Sequence, residues 1–306
     1  MAVLCVGACT AACDRDRTPT GGARRSGPPP TASAPRGGPL ASAASASLPA
    51  SPSQPPPAAA TAADLPRPLP SAGELIALPV EGFAEQVATV PSEPAPSYRL
   101  VVALHGNYDR PEWQCETWLP ILGKRAFVLC PRGIARGDAP RGADRWTFAG
   151  KQELEREIEA GVAALVSRFG RALRASDRVL LGFSLGAILG VPLALESAGV
   201  YRTLIAIEGG WESWSARRVS AFVAAGGHRA LFACGQTACR GAVRRLEPSV
   251  RAQGLDLRHG FVPAGHRYDG PVAAIVRDNL AWLEAGSVGE ARGLADGGET
   301  EAPALH

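Results

Sequence analysis

The sequence predicts an α/β protein: a mostly parallel, doubly wound sheet flanked by helices, preceded by a disordered linker. Three observations predict it. Continuously apolar runs of strand length recur along the chain, among them "YRLVVAL", "AFVLC", "RVLLGF", "LIAI" and "ALFAC". Segments with apolar residues at helical spacing alternate with them. From Thr18 to about Pro70, by contrast, the chain is almost only Pro, Ala, Ser, Thr, Gly and Arg. Strands apolar on both faces belong to parallel sheets covered by helices. A segment with hardly any large apolar residue cannot offset its chain entropy by burial.

The elements follow in order. "ELIALPV" and "GFAEQVATV" form an antiparallel edge, and "YRLVVALHG" is the first buried strand, ending near Leu104. "EWQCETWLPILGK" is a short helix kinked near Pro120, and "RAFVLCPRG" is the second buried strand. "KQELEREIEAGVAALVSRFG" is the clearest helix, with Leu154, Ile158, Val162, Leu165, Val166 and Phe169 on its apolar face and acidic residues in its first turns. "DRVLLGF" is the third buried strand, and a helix runs from about Leu185 to Ser197. "RTLIAIEGG" and "RALFACG" are the fourth and fifth strands. "CRGAVRRLEPSVRAQG" is a helix broken at Pro248, "LDLRHGFVPAGH" holds the sixth strand, and "PVAAIVRDNLAWLEAG" closes the domain as a helix. The division expected is 1–17 as a truncated signal region, 18–70 as linker, 71–287 as the folded domain and 288–306 as a disordered tail.

Bulk charge excludes little but does bear on partners. The net charge of +3 gives no electrostatic footprint for nucleic acid. Lysine stands only at Lys124 and Lys151, and the excess of arginine is read as a mark of a GC-rich genome. The start, "MAVLCVGACTAACDRDR", resembles the end of a bacterial lipoprotein signal, where a cysteine after small residues is lipidated. Cys9 fits by the residues before it, and Cys13 by the charges directly after it. A basic leading region is lacking and the apolar stretch is short, so the reading takes the signal as truncated. The resemblance implies an exported protein tethered to a membrane by lipid, with the linker as spacer. No other segment is long and apolar enough to span a bilayer.

Four of the seven cysteines fall in the domain: Cys115, Cys130, Cys234 and Cys239. In an exported domain an even count points to disulfides, and the sequence-near pairs are Cys115–Cys130 and Cys234–Cys239. Four reduced, buried thiols are the alternative. No C-x-x-C or histidine cluster calls for a metal, and no cofactor motif is present.

Right-handed crossovers put every parallel strand's carboxyl end at one edge, where ligands and catalytic groups gather. Three motifs stand there. "GFSLG" places Ser184 between Gly182 and Gly186 at a strand-to-helix turn, the context of a nucleophile elbow. "GHRYDG" places His266 after the last strand, where an imidazole can take the serine proton. "HGNYD" follows the first buried strand and offers the amide of Asn107 beside that of Leu185 as oxyanion donors.

On these three motifs, over roughly Tyr98 to Glu284, the chain resembles the α/β-hydrolase family in its esterase and carboxylesterase-like branch. The resemblance implies a serine hydrolase acting on a small-molecule ester or thioester through an acyl-enzyme, without metal or cofactor. It also implies an acid after the strand before the histidine strand, and here the chain departs. That loop reads "CGQTACRG" and holds no carboxylate. Glu208, one strand earlier, is the leading candidate; Glu212, Asp269 and no acid at all are the others. A peptidase or acyltransferase would use the same residues, and a non-catalytic lipoprotein that binds through a hydrolase-like scaffold is the rival from another class. His105 is expected to be structural, and His228 and His259 to play no catalytic part. Trp113, Trp146, Trp211 and Trp214 either line a pocket or cap the core. Arg132, Arg136, Arg141 and Arg145 belong to a loop that is either solvated or attracts an acidic substrate.

Overall fold

The computed structural model describes residues 69–285, Ala198 excepted. Cys9, Cys13, the signal region, all but the last two residues of the expected linker, and the tail lie outside the described residues.

Six strands run parallel: β3 (Tyr98–Leu104), β4 (Ala126–Cys130), β7 (Leu173–Phe183), β8 (Tyr201–Ile207), β9 (Arg229–Cys234) and β10 (Asp256–Phe261). β1 (Leu75–Leu78) and β2 (Gln86–Thr89) pair antiparallel with each other, and β2 pairs antiparallel with β4. The eight-stranded sheet has the order β1-β2-β4-β3-β7-β8-β9-β10. Ile134–Ala135 (β5) and Trp146–Thr147 (β6) form a small separate antiparallel ribbon.

Successive side chains of a strand face opposite ways, so each parallel strand feeds two cores. Leu100, Val102 and Leu104 of β3 share one core with Leu154, Ile158 and Leu165 of α2 (Lys151–Phe169) and Val191 of α3 (Leu185–Glu196). Val219 and Phe222 of α4 (Ala216–Ala224) and Val243 and Val250 of α5 (Thr237–Arg251) join that side. Val101 and Ala103 face the other core, with Cys115 and Trp118 of α1 (Pro111–Trp118), Val272 and Val276 of α6 (Gly270–Asp278) and Leu283 of α7 (Leu280–Glu284). No helix among the described residues is long and apolar enough to cross a membrane.

Four expectations need correction. α5 is not broken at Pro248 but continues to Arg251. Pro248 lies in the last turn and removes only its own N–H, while buried Val243 and Val250 hold the helix to the sheet. The closing helix is two helices, interrupted at Asn279, whose Nδ2 donates to the carbonyl of Ile275 at 2.9 Å. Val166 is 41% exposed, because it stands a further step around α2 from Leu165 than the buried stripe reaches. α4 is an additional helix, started by Ser215, whose hydroxyl accepts from the amide of Arg218 at 3.4 Å.

Candidate active site

The turn from β7 into α3 holds Ser184 at φ 51°, a left-handed conformation that a serine adopts only when its surroundings enforce it. They do so from both sides. The Ser184 amide donates to the carbonyl of Ile207 on β8 at 2.9 Å, and its own carbonyl accepts from Ile188, the first bond of α3, at 2.9 Å. The flanking glycines are required by contact. A Cβ on Gly186 would stand 2.4 Å from the carbonyl oxygen of Leu104, and one on Gly182 would stand 2.7 Å from the backbone nitrogen of Ala187. The strain lifts the serine clear of the sheet, at the positive end of α3.

His266 brings Nε2 to 2.9 Å from Ser184 Oγ. On the far side of the ring, Nδ1 lies 3.7 Å from Oε2 of Glu208. Glu208 directly follows β8 at φ 52°, and its side chain is 1% exposed. Its Oε1 accepts the amides of Gly235 and, at 2.9 Å, Gln236. Oε2 has no hydrogen-bond partner, so the one unsatisfied oxygen of this buried carboxylate is the one facing the imidazole. The other carboxylates weighed for this place are elsewhere: Asp269 is exposed and bound to Arg267 Nε at 2.5 Å, and Glu212 is exposed in a short turn after β8. Arg267 holds the Asp269 carboxyl below its usual range.

The loop after β3 lies over the serine. A Cβ on Gly106 would meet the Phe183 ring at 2.9 Å and the Ser184 Cβ at 3.5 Å. The amides of Tyr108 and Asp109 donate to the carbonyl of Trp146 at 3.0 and 3.3 Å, whereas that of Asn107 finds no acceptor among the described residues. Leu185, the first residue of α3, likewise has an amide outside the helical ladder. His105 is buried, with Nδ1 2.7 Å from the Gly106 carbonyl and Nε2 2.9 Å from that of Arg132. Burial pushes its pKa down, and its ring stacks on Phe148 at 4.4 Å, so it braces the loop and does not face the serine.

Two residues that sequence reasoning missed complete this brace. Glu157, buried in mid α2, accepts the amides of Arg132 at 2.9 Å and Gly133 at 2.8 Å. Burial raises its carboxyl above the usual range. Asp109 accepts from the amides of Arg110 at 2.8 Å and Gly106 at 3.4 Å, and from the hydroxyl of Tyr268 at 3.4 Å. Burial and then Asp109 push the Tyr268 phenol strongly upward, so it stays a donor. An Asx-type signal in "HGNYDR" was the only sequence cue to Asp109, and Glu157 had none.

The tryptophans divide. Trp214 is buried against Phe232 at 5.3 Å, and Trp211 packs against the same core. Trp146 carries the guanidinium of Arg132 at 4.9 Å. Trp113, 38% exposed, lines an open cleft of about 390 Å³ with Glu116, Thr117, Tyr268 and Asp269. Arg132 and Arg136 are engaged by Glu112 and Asp138, Arg145 lies over Trp113, and Arg141 is exposed. His228 sits beside the Gly226 carbonyl, and His259 on β10 pairs with Glu247 at 3.0 Å; both are away from Ser184. Disulfides join Cys115 to Cys130 and Cys234 to Cys239. Among the described residues the one close group of potential metal ligands is Glu208, Cys234 and Cys239, and its two sulfurs are bonded to each other. A thiolate is what a metal would need there.

A mostly parallel sheet with a serine at the third parallel strand's turn and a histidine after the last strand is the α/β-hydrolase fold. No family model and no curated protein matches the chain by sequence. Among solved structures, it is similar to a carboxylesterase from Mesorhizobium loti at 18% identity and a TM-score of 0.49, covering 67% of this chain and 99% of that one. It is also similar to acyl-protein thioesterase 2 of Zea mays at 16% identity and a TM-score of 0.47, covering 66% and 99%. A Bacillus cereus carboxylesterase is similar at 12% identity and a TM-score of 0.46, covering 67% and 95%. Likenesses this distant carry nothing about substrate; the chemistry rests on the side chains described above.

Proposed function

We propose that this protein is a serine hydrolase of ester-type bonds, acting through an acyl-enzyme. The observation that carries the reading is the ordered row Ser184 Oγ, His266, Glu208, with 2.9 Å between Oγ and Nε2. Ser184 attacks the carbonyl carbon while His266 Nε2 takes its proton. The negative charge that moves onto the carbonyl oxygen is met by the amides of Leu185 and Asn107. His266 then gives the proton to the departing alkoxide or thiolate. Water, activated by the same nitrogen, attacks the acyl group and restores the serine. Glu208 fixes the imidazole's tautomer and stabilises its cation. The cleft beside Tyr268 and Trp113 takes part of the substrate.

Both disulfides support a setting outside a reducing cytoplasm, so export belongs to the proposal, with lipidation at Cys9 or Cys13 as its anchoring step. The test is hydrolysis of p-nitrophenyl acetate and butyrate and of the matching thioesters by the oxidised protein. Turnover that is lost in Ser184→Ala and in His266→Ala is expected. Turnover unchanged by Ser184→Ala would overturn the reading.

A further inference from the structure

We infer that the Cys234–Cys239 disulfide is a positioning device for the acid and the base together, acting through the turn it closes. This rests on the hydrolase reading above and deepens it. Cys234 is the last residue of β9 and Cys239 lies in the first turn of α5. The bridge therefore ties the end of a strand to the start of the next helix, across Gly235 and Gln236.

Those two residues do the holding. Their amides converge on Glu208 Oε1 and leave Oε2 turned to His266. Gly235 also reaches the histidine loop. Its carbonyl accepts the amides of Ala264 and Gly265, both at 3.1 Å, immediately before His266. The carbonyl of Cys234 accepts from Val262 at 3.0 Å and begins that attachment. Gly235 thus joins acid to base through one residue, donating to Glu208 and accepting from the loop of His266. The approach is so close that a Cβ on Gly235 would fall 2.1 Å from the Gly265 carbonyl oxygen. The carboxylate and both sulfurs lie within 4.8 Å of one another.

The loop that this bridge closes is short. The bridge spans a sequence separation of 5, against 15 for Cys115–Cys130. Closing a short loop removes less entropy from the unfolded chain, so this bridge has the smaller share in global stability. Its effect is local. The turn here replaces the carboxylate that the fold more often places after β9 with a scaffold for one borrowed from β8. The hydrogen bonds of Gly235 and Gln236 hold acid and base to this turn, and the covalent bridge holds the turn itself between β9 and α5.

The experiment compares the wild type with Cys234→Ala/Cys239→Ala, each with and without Glu208→Gln, and uses Cys115→Ala/Cys130→Ala as control. Near-ultraviolet circular dichroism verifies folding; Cys234→Val/Cys239→Ala keeps the volume better should the first pair not fold. The expected result is a kcat lowered about tenfold or more with KM within about twofold, as befits a loss felt at the transition state. In the Glu208→Gln background the same change should cost at least about threefold less, because the share acting through the carboxylate is already lost and only the share acting through the loop of His266 remains. The control keeps the wild-type kcat. An unchanged kcat, or an equal loss with and without Glu208, would overturn the inference while leaving the hydrolase intact. A folded wild type with no turnover on any ester or thioester would instead overturn the hydrolase reading and take this inference with it.

Discussion

Replacing Glu208 by glutamine separates the charge of this side chain from its role as a backbone acceptor. In the wild type, Oε1 takes the amides of Gly235 and Gln236, and Oε2 faces His266 Nδ1 at 3.7 Å. Glutamine keeps a carbonyl oxygen for the two amides, so the turn after β9 stays in place. Its NH2 group then occupies the Oε2 position and presents a donor to Nδ1. That favours the tautomer protonated at Nε2, which cannot accept a proton from Ser184 Oγ 2.9 Å away. A swap of this kind, which preserves geometry but imposes the wrong tautomer, costs about 10⁴ in kcat in a serine protease triad. At about 1.4 kcal/mol for each factor of ten, that is roughly 5–6 kcal/mol of transition-state stabilisation. The assay is steady-state hydrolysis of p-nitrophenyl butyrate, with circular dichroism as the check of fold. A kcat lower by at least about 10³ with KM little changed is expected. A fall of less than about tenfold in a folded variant would refute Glu208 as the group that orients the base.

Gly186→Ala places a methyl 2.4 Å from the Leu104 carbonyl oxygen, so it should lower stability by about 1–3 kcal/mol in urea unfolding and reduce kcat with it. Glu157 binds its proton more tightly in the folded chain than in the unfolded one, because burial raises its carboxyl from the usual 4.5. Its contribution to stability is therefore fully present below pH 4.5 and lost as pH rises through the raised folded value. Glu157→Gln keeps an acceptor for the amides of Arg132 and Gly133, and its Tm relative to wild type should rise between pH 4 and pH 8; a relative fall would contradict this. Cys115→Ala/Cys130→Ala opens a 15-residue loop and should cost about 3 kcal/mol, or roughly 6–12 °C in Tm, with kcat unchanged.

The parts of the site that the sequence makes legible are those fixed by strand direction. Parallel strands must end at one edge, so "HGNYD", "GFSLG" and "GHRYDG" meet there whatever the loops do. Glu208 is legible for the same reason, as the carboxylate at the end of the strand next to β9. What holds these residues is not legible. Glu157 reads as one more acidic residue on an amphipathic helix, and only packing turns it toward Arg132 and Gly133. The pairing of Cys234 with Cys239 follows from spacing, but the link from Gly235 to the loop of His266 depends on two strands lying side by side. α4 escapes notice because it is short, and Val219 and Phe222, its buried residues, follow two arginines. For Trp211 and Trp214 the place after β8 leaves pocket and core both open, and packing decides it: Trp214 is buried against Phe232 and Trp211 lies partly buried on the same core.

Mapping a covalent adduct gives the sharpest test of Ser184 as a nucleophile activated by His266 and Glu208. The oxidised protein is treated with a fluorophosphonate, digested, and the modified residue is read by tandem mass spectrometry. One phosphonyl group is expected, on Ser184, formed far more slowly in His266→Ala and in Glu208→Gln. A folded wild-type protein that takes up no phosphonyl group, or takes it up on another residue, would rule out Ser184 as the activated nucleophile.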